Sequence, residues 1–409
     1  MMQTHSSAGA LHFDAAVVGG GPAGLAAAIA LAAAGVATAL IARRGPYADN
    51  RTTALLGSSV DLLRRLGIWD DCAPEAAPLR VMRLVDDTDR LLRAPEVHFD
   101  CGELGLDAFG YNIENRLLVA AMEARAAALP RLARFDTDAD AIEIADDIAT
   151  IRCADGETLT AALLVGADGR HSMCRNAAGI TVRRRALAQS ALTFNVAHTR
   201  PHRDISTEFH TAFGPCVFVP LTGSRSSVVW VTSPSEAERL KSVDDDDLSR
   251  EIERRAHSHL GRMTVEGARH VFPLAFERPD RLAARRVALV GEAAHVVPPI
   301  GAQGLNLGLR DAEAIAQLAA DAIASGSDPG SDAVLERYRR SRRLDVAGRD
   351  IVIDIANRTL LADFLPVQVA RAAGMQLIGG IGALRRAVMR TALDQRSAAS
   401  PPRPDAPHV

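Results

Sequence analysis

The sequence Gly19-Gly20-Gly21-Pro22-Ala23-Gly24 lies inside a stretch, Ala15 to Ala42, that holds no charged residue. An uncharged run of that length is compatible with a membrane span. It is equally what a strand, a tight turn, a buried helix and a second strand produce in succession. The internal punctuation favours the second. Phe13 to Val18 is a short apolar strand, Leu25 to Ala34 is an alanine-rich helix closed by Gly35, and Val36 to Ile41 is the next strand. In the pattern Gly19-x-Gly21-x-x-Gly24, the first glycine permits the turn and the second lets a backbone approach a pyrophosphate. The third allows helix and strand to pack closely, and the helix start offers unpaired N–H groups to phosphates. Pro22 and Ala23 belong to the same turn. The carboxylate that such a unit normally places at the end of its second strand is missing: Ala42 stands there, followed by Arg43 and Arg44. Arg43 as its substitute and Arg43 as a solvated cation are both open.

Composition removes whole classes. With 47 Lys+Arg against 50 Asp+Glu the net charge is −3, and aromatics are few (11 Phe, 2 Trp, 3 Tyr). Neither a basic face nor a base-stacking platform is expected, so no nucleic-acid partner is. The five cysteines, Cys72, Cys101, Cys153, Cys174 and Cys216, are scattered without zinc spacing, which predicts no metal site and a reducing compartment. Met1 to Asp14 has no basic segment followed by an apolar core, so no signal peptide is expected and the localisation reading is cytoplasmic.

Two further motifs carry chemistry. Leu163-Leu164-Val165-Gly166-Ala167-Asp168-Gly169-Arg170-His171-Ser172 is an apolar strand ending in an Asp-Gly turn and a basic helix start. Asp168 there can accept from sugar or ribityl hydroxyls. Gly291-Glu292-Ala293-Ala294-His295-Val296-Val297-Pro298-Pro299-Ile300-Gly301-Ala302-Gln303-Gly304-Leu305-Asn306 runs from a strand end at a carboxylate, through a Pro/Gly loop, to a helix start, with Asp311 beyond. Such a loop aims backbone N–H groups and a helix dipole at an anion, worth about 0.3–1 kcal/mol when exposed. His295 reads as a packing or backbone-bonding residue more readily than as a catalytic one.

Taken together and in this order, the three motifs resemble the single-component FAD-dependent aromatic hydroxylases, the para-hydroxybenzoate hydroxylase-like flavoprotein monooxygenases. The resemblance covers roughly Asp14 to Ile323. It implies FAD, reduction by NAD(P)H, and a C4a-hydroperoxyflavin that delivers oxygen from O2 to an electron-rich ring. By position it implies that Gly19, Gly21, Pro22, Ala23 and Gly24 meet the FAD pyrophosphate and that Asp168 and Gly169 sit by FAD and the passing nicotinamide. Residue 292 would meet the ribityl chain, though the family has Asp where this chain has Glu292. Pro299, Gly301, Gln303, Gly304, Leu305 and Asn306 would line the isoalloxazine, with the backbone at Pro299 orienting a substrate phenol as the one catalytic assignment. No general base is named by the sequence.

A narrower resemblance, to the UbiH-type ubiquinone-biosynthesis hydroxylases, rests on Asp49-Asn50-Arg51-Thr52-Thr53-Ala54-Leu55, Gly110-Tyr111-Asn112-Ile113-Glu114-Asn115, Ser226-Ser227-Val228-Val229-Trp230, Gly304-Leu305-Asn306-Leu307-Gly308-Leu309-Arg310-Asp311 and Asn357-Arg358-Thr359-Leu360-Leu361-Ala362-Asp363-Phe364-Leu365-Pro366. It implies that Arg51 lies on the flavin side of the site, an ordinary surface charge being the other reading. It also implies a polyprenylated phenol as substrate and association with other ubiquinone-biosynthesis proteins. A small soluble phenol, a catalytically silent flavoprotein and a prenyl reductase stay open at this point. Arg358 to Arg396 carries six Arg against two Asp among apolar residues. That pattern suits peripheral contact with an anionic membrane, and equally a helical cap on the first domain.

The expected fold is α/β: a Rossmann-like FAD-binding βαβ domain with an inserted, mostly antiparallel substrate sheet and C-terminal helices. The parts are an FAD-binding domain over 12–70, 106–180 and 281–350, and a substrate domain over 71–105 and 181–280. A helical segment over 351–396 and a disordered tail over 397–409 follow. Expected helices are Ser58–Leu66, Asn112–Leu129, Asp245–Leu260 and Leu305–Ala324. Expected second-domain strands are Ala191–Ala197, Ser206–Ala212, Val217–Leu221, Ser227–Thr232 and His270–Leu274. Phe213, Phe218 and Trp230 are candidates to line a substrate pocket or to fill ordinary core.

Overall fold

The computed structural model describes residues 10–45, 51–88, 93–299, 302–343 and 374–393. The expectations on Asp49-Asn50, Ile300-Gly301, the segment through Pro366 and the tail after 396 lie outside the described residues.

The first sheet is built on the uncharged run. Its order is Ala283–Ala284, Val287–Leu289, Thr158–Gly166, Leu11–Val18, Thr38–Ile41, Leu132–Phe135, with Ala139–Ile144 and Ala149–Cys153 attached beside Thr158–Gly166. Leu11–Val18 pairs in parallel with both Thr158–Gly166 and Thr38–Ile41. Strands covered on both faces read as continuous apolar runs, and the second half of Leu11–Val18 is fully buried. Helix Pro22–Ala33 begins with proline in its first turn and packs, nearly all buried, against helices Gln303–Ala324 and Asn115–Ala127. Small residues permit this closeness: a Cβ added at Gly308 or Gly291 would fall 3.1 or 2.8 Å from the Ala23 Cβ. The first and third motifs therefore touch through residues with almost no side chain.

The second sheet has the order Met263–Pro279, Val182–His198, Arg225–Thr232, Gly214–Leu221, Ile205–Thr211, Val81–Asp86, Val97–Asp100. It is antiparallel except for the parallel pair Ile205–Thr211 with Val81–Asp86. Two of its strands run well beyond the expected spans. Arg183, Arg184 and Arg185 break the apolar alternation that marks a strand, yet they are strand residues with partners across the ladder. Arg184 pairs with Glu277 at 3.3 Å, and the Arg185 guanidinium lies 4.6 Å from the Phe276 ring.

Alternation sorts the faces of this sheet. Leu192, Phe194, Phe209, Phe218 and Trp230 pack under helices Pro234–Ser242 and Asp245–Arg255. Phe218 and Trp230 are therefore helix-side core, not pocket lining. Phe213 sits on the hairpin turn between Thr211 and Gly214 and is 63% exposed. The opposite face carries Ala191, Val231 and Leu274.

A third sheet, Thr52–Leu56, Gly110–Glu114 and Ala77–Leu79, joins the two larger ones. Asn112, read as a helix start, is a strand residue, and the helix begins at Asn115. The Asn112 amide donates to the Pro220 carbonyl at 2.9 Å. Buried Glu114 accepts from Arg116 at 2.8 Å and from Arg225 at 3.2 Å, and Arg225 also reaches Glu266 at 2.8 Å. Burial pushes the Glu114 carboxyl up, but the two guanidinium groups win and hold it below its usual range. Among the described residues no helix is long and apolar enough to cross a membrane.

Candidate active site

Register brings the motifs together. Val18 lies opposite both Gly166 and Ile41, and Gly166 lies opposite Leu289, so the carboxyl ends of four parallel strands finish at one level. Ligands of open α/β sheets bind beyond such ends. The ladder continues one step into the turns: Gly19 N–H donates to Ile41, Ala167 N–H to Val18, and Val290 N–H to Gly166.

The three glycines of the first turn do different work. Gly19 has φ +117°, and a Cβ there would meet the Ala167 carbonyl oxygen at 2.2 Å. A Cβ at Gly24 would meet the Gly19 carbonyl oxygen at 2.0 Å. Gly21 is extended (φ −70°, ψ 171°), and a Cβ there would have no heavy atom within 4 Å. Gly19 and Gly24 are required by the fold itself. Gly21 opens onto a cleft of about 730 Å³ that runs past Ala42, Arg43 and Arg44 to Glu123 and Asp138, with Asp168 on its wall. The uncapped start of helix Pro22–Ala33 points its N–H groups at the same place. Open space at Gly21, bare helix N–H groups and an elongated cleft fit a pyrophosphate-bearing dinucleotide.

Asp168 lines that cleft, but its carboxylate also holds the turn. Oδ1 accepts from Ser172 Oγ at 2.5 Å, and Oδ2 accepts from the N–H groups of Met173 and Cys174 at 2.6 and 3.1 Å. Gly169 follows at φ +77°. Buried Arg175 then ties the second motif to the third, donating to the carbonyls of Arg170 at 2.7 Å and Ala293 at 3.1 Å. Arg43 is largely exposed and pairs with Asp138 at 2.7 Å.

The third motif begins with Gly291 at φ +60°, followed by exposed Glu292. Beneath it lies a closed ionic group. Asp311, fully buried, accepts from His295 at 2.6 Å and from Arg342 at 2.7 Å. Burial raises the Asp311 carboxyl, but the two partners outweigh it and hold it below its ordinary value. His295 is thus part of the loop's foundation. Val296 makes a two-bond bridge to Glu277, both bonds 3.0 Å, so the loop is stapled to the second sheet. Pro298 is buried and Pro299 exposed. Helix Gln303–Ala324 starts from Ala302 at φ +54°, with no side-chain cap and no acid in its first turn. Gln303, Gly304 and Leu305 form that first turn. Gly301 lies outside the described residues.

Asn306 locks this helix start in place. It accepts from Leu56 N–H at 2.9 Å and donates to the carbonyls of Ala54 at 2.8 Å and Ala302 at 2.6 Å. The same strand is preceded by Arg51, whose guanidinium lies 5.0 Å from the Phe272 ring. Phe272 is opposite Ala191, on the sheet face away from the helices. Arg51 therefore ties the third sheet to the second and is not a plain surface charge. Sequence reading missed Glu123, Asp138 and Arg342, and gave Arg175, three residues beyond Ser172, no role. Their positions depend on chain segments that meet only in the fold, and no local spacing marks them.

Comparison with known proteins agrees with this architecture. The FAD binding domain family matches residues 12–349. A ubiquinone hydroxylase, UbiL, of Rhodospirillum rubrum is 34% identical over 93% of this chain and 89% of its own length. The 3-demethoxyubiquinol 3-hydroxylase of Escherichia coli is 32% identical over 93% of this chain and 98% of its own. Among solved structures, the p-nitrophenol 4-monooxygenase PnpA of Pseudomonas putida superposes with a TM-score of 0.77 at 21% identity. That match covers 93% of this chain and 98% of PnpA.

Proposed function

This chain belongs to the FAD binding domain family, and from that premise we propose that it hydroxylates the aromatic ring of a polyprenylated phenol in ubiquinone biosynthesis. The observation that carries the substrate is the near full-length likeness to two ubiquinone-pathway hydroxylases at above 30% identity. The chemistry that FAD supplies when bound is two-electron redox with NAD(P)H and activation of O2.

The chain's own residues bind, orient and exclude water. Gly19 and Gly24 shape the turn, and Gly21 with the start of helix Pro22–Ala33 receives the pyrophosphate. Asp168 and Gly169 flank it. The uncapped start of helix Gln303–Ala324 is held by Asn306, and with the isoalloxazine bound it would stabilise negative charge there. Glu292 keeps the acceptor chemistry of an aspartate with one methylene more, toward the ribityl chain. Pro299 presents its backbone to the substrate phenol. The apolar sheet face of Ala191, Val231 and Leu274, on which Phe272 meets Arg51, would roof the site and keep water from it.

The prenyl tail dominates substrate binding at about 0.8 kcal/mol per buried CH2. Contact with a membrane surface fits that substrate. Leu384 and Val388 are exposed one turn apart on helix Gly382–Ala392, which also carries Arg386 and Arg390, and Leu377 and Ile381 are exposed just before it.

Deleting the gene and profiling quinone lipids by mass spectrometry tests the reading. Ubiquinone should fall and a prenylated phenol lacking one oxygen should accumulate. Untouched ubiquinone in a host with no second hydroxylase would overturn it in favour of a small soluble phenol.

A further inference from the structure

The carboxylate missing at Ala42 has a structural replacement. Glu123, two turns into helix Asn115–Ala127, lines the same cleft as Ala42 and the glycine turn, as does Val119 one turn earlier. Its Oε1 accepts from Arg134 Nη2 at 2.8 Å. Arg134 stands on strand Leu132–Phe135, directly opposite Leu40 of the second strand. Its side chain is only 9% exposed, and its Nη2 comes within 3.8 Å of where a Gly20 Cβ would be. The Ala42 Cβ lies 2.8 Å from that same point. Arg134 thus reaches under the glycine turn beside Ala42 and delivers the Glu123 carboxylate there. Glu123 Oε2 is shut from water and has no hydrogen-bond donor. Arg44 Nε stands 3.8 Å from it, beyond hydrogen-bond reach. Arg43 cannot take the role, since it is a donor only and is engaged by Asp138.

We propose that Glu123, positioned by Arg134, is the acceptor for the adenosine ribose hydroxyls of the dinucleotide, in place of the acid that the second strand lacks. The chemistry asked of it is that of an ionised carboxylate accepting from a vicinal diol, and Oε2 is an acceptor in need of a donor. The inference rests on the FAD reading of the cleft and adds to it the residue that recognises the sugar.

The test reads binding rather than turnover. FAD release from the holoenzyme is followed by flavin fluorescence. ADP and 2′,3′-dideoxy-ADP are then compared as competitors of FAD. Wild type should favour ADP over the dideoxy analogue by about tenfold, the worth of a charge-assisted hydrogen bond. In Glu123→Gln, whose amide oxygen can still accept from Arg134, the FAD Kd should rise about tenfold and the preference for ADP should vanish. Adding Ala42→Glu to that variant should restore both to within about threefold. An E123Q protein that keeps the wild-type FAD Kd and the ADP preference overturns the proposal. If E123Q melts lower than wild type, the ratio of ADP to dideoxy-ADP affinity is read in the folded E123Q protein, and a wild-type ratio there overturns the proposal equally. A wild-type protein that binds no FAD refutes the family reading of the cleft, an outcome distinct from both.

Discussion

Replacing Gly21 by alanine separates what the glycine turn does for folding from what it does for a ligand. Gly21 sits at φ −70°, ψ 171°, which any residue adopts, and the new methyl would have no heavy atom within 4 Å. Alanine lowers the entropy of the unfolded chain, a gain of about 0.4–1 kcal/mol. It is poorer than glycine at a helix N-cap, by about 0.5–1 kcal/mol. The apoprotein should therefore stay within about 1 kcal/mol of wild type. The methyl projects into the cleft, and forcing one extra carbon into a fitted contact costs about 1–3 kcal/mol. That corresponds to a roughly 5- to 150-fold weaker FAD Kd. Gly24→Ala is the contrast: its methyl would lie 2.0 Å from the Gly19 carbonyl oxygen, so the apoprotein itself should lose stability. Chemical denaturation of both apoproteins and fluorescence titration with FAD give the numbers. The reasoning fails if Gly21→Ala destabilises the apoprotein as much as Gly24→Ala does, or if it binds FAD as wild type does.

Asp311→Asn should cost about 3–5 kcal/mol at pH 7, because it leaves the buried Arg342 guanidinium without its anion and disrupts the hydrogen bond with His295. The folded pKa of Asp311 lies below its unfolded value. The stability from its ionisation is complete above about pH 4 and is lost as the pH falls through the folded pKa, so the wild-type advantage should shrink only in acid. A loss under 1 kcal/mol, or a pH-independent gap in denaturation midpoints, would count against the buried ion group. All five cysteines are free and buried, and burial, helped by Asp71 at Cys72 and by Asp155 and Glu157 at Cys153, raises both thiols to about 11. Native protein at pH 8 should leave a disulfide reagent unreacted for minutes and consume it fully once unfolded; rapid reaction of any one thiol would contradict the packing.

The nucleotide half of the molecule was legible because its constraints are local. Gly19 is demanded by its φ of +117°, and Gly24 by the Gly19 carbonyl oxygen, which a Cβ there would meet at 2.0 Å. A continuous apolar run is what a strand covered on both faces must be. The second sheet was legible in type and less so in extent. Arg183 to Arg185 look like a loop until Glu277 and Phe276 stand across from them. Phe218 and Trp230 show the same limit from the other side. Aromatic character suggested a pocket, but strand alternation turned both toward the helices, and which face of a sheet meets which neighbour is a tertiary fact.

By itself, then, the order of the residues determined the three motifs and the parallel strands that carry them, since turn sterics and burial act over a few residues. Only the tertiary structure decided who completes the site. Leu40 and Arg134, on strands far apart in the chain, are neighbours because the sheet pairs them. That pairing brings Glu123 to the place where Ala42 offers nothing. His295, Asp311 and Arg342 form one buried charge group for the same reason: an uncompensated charge is tolerated in the interior only where chain segments distant in sequence bring its partners within hydrogen-bond reach.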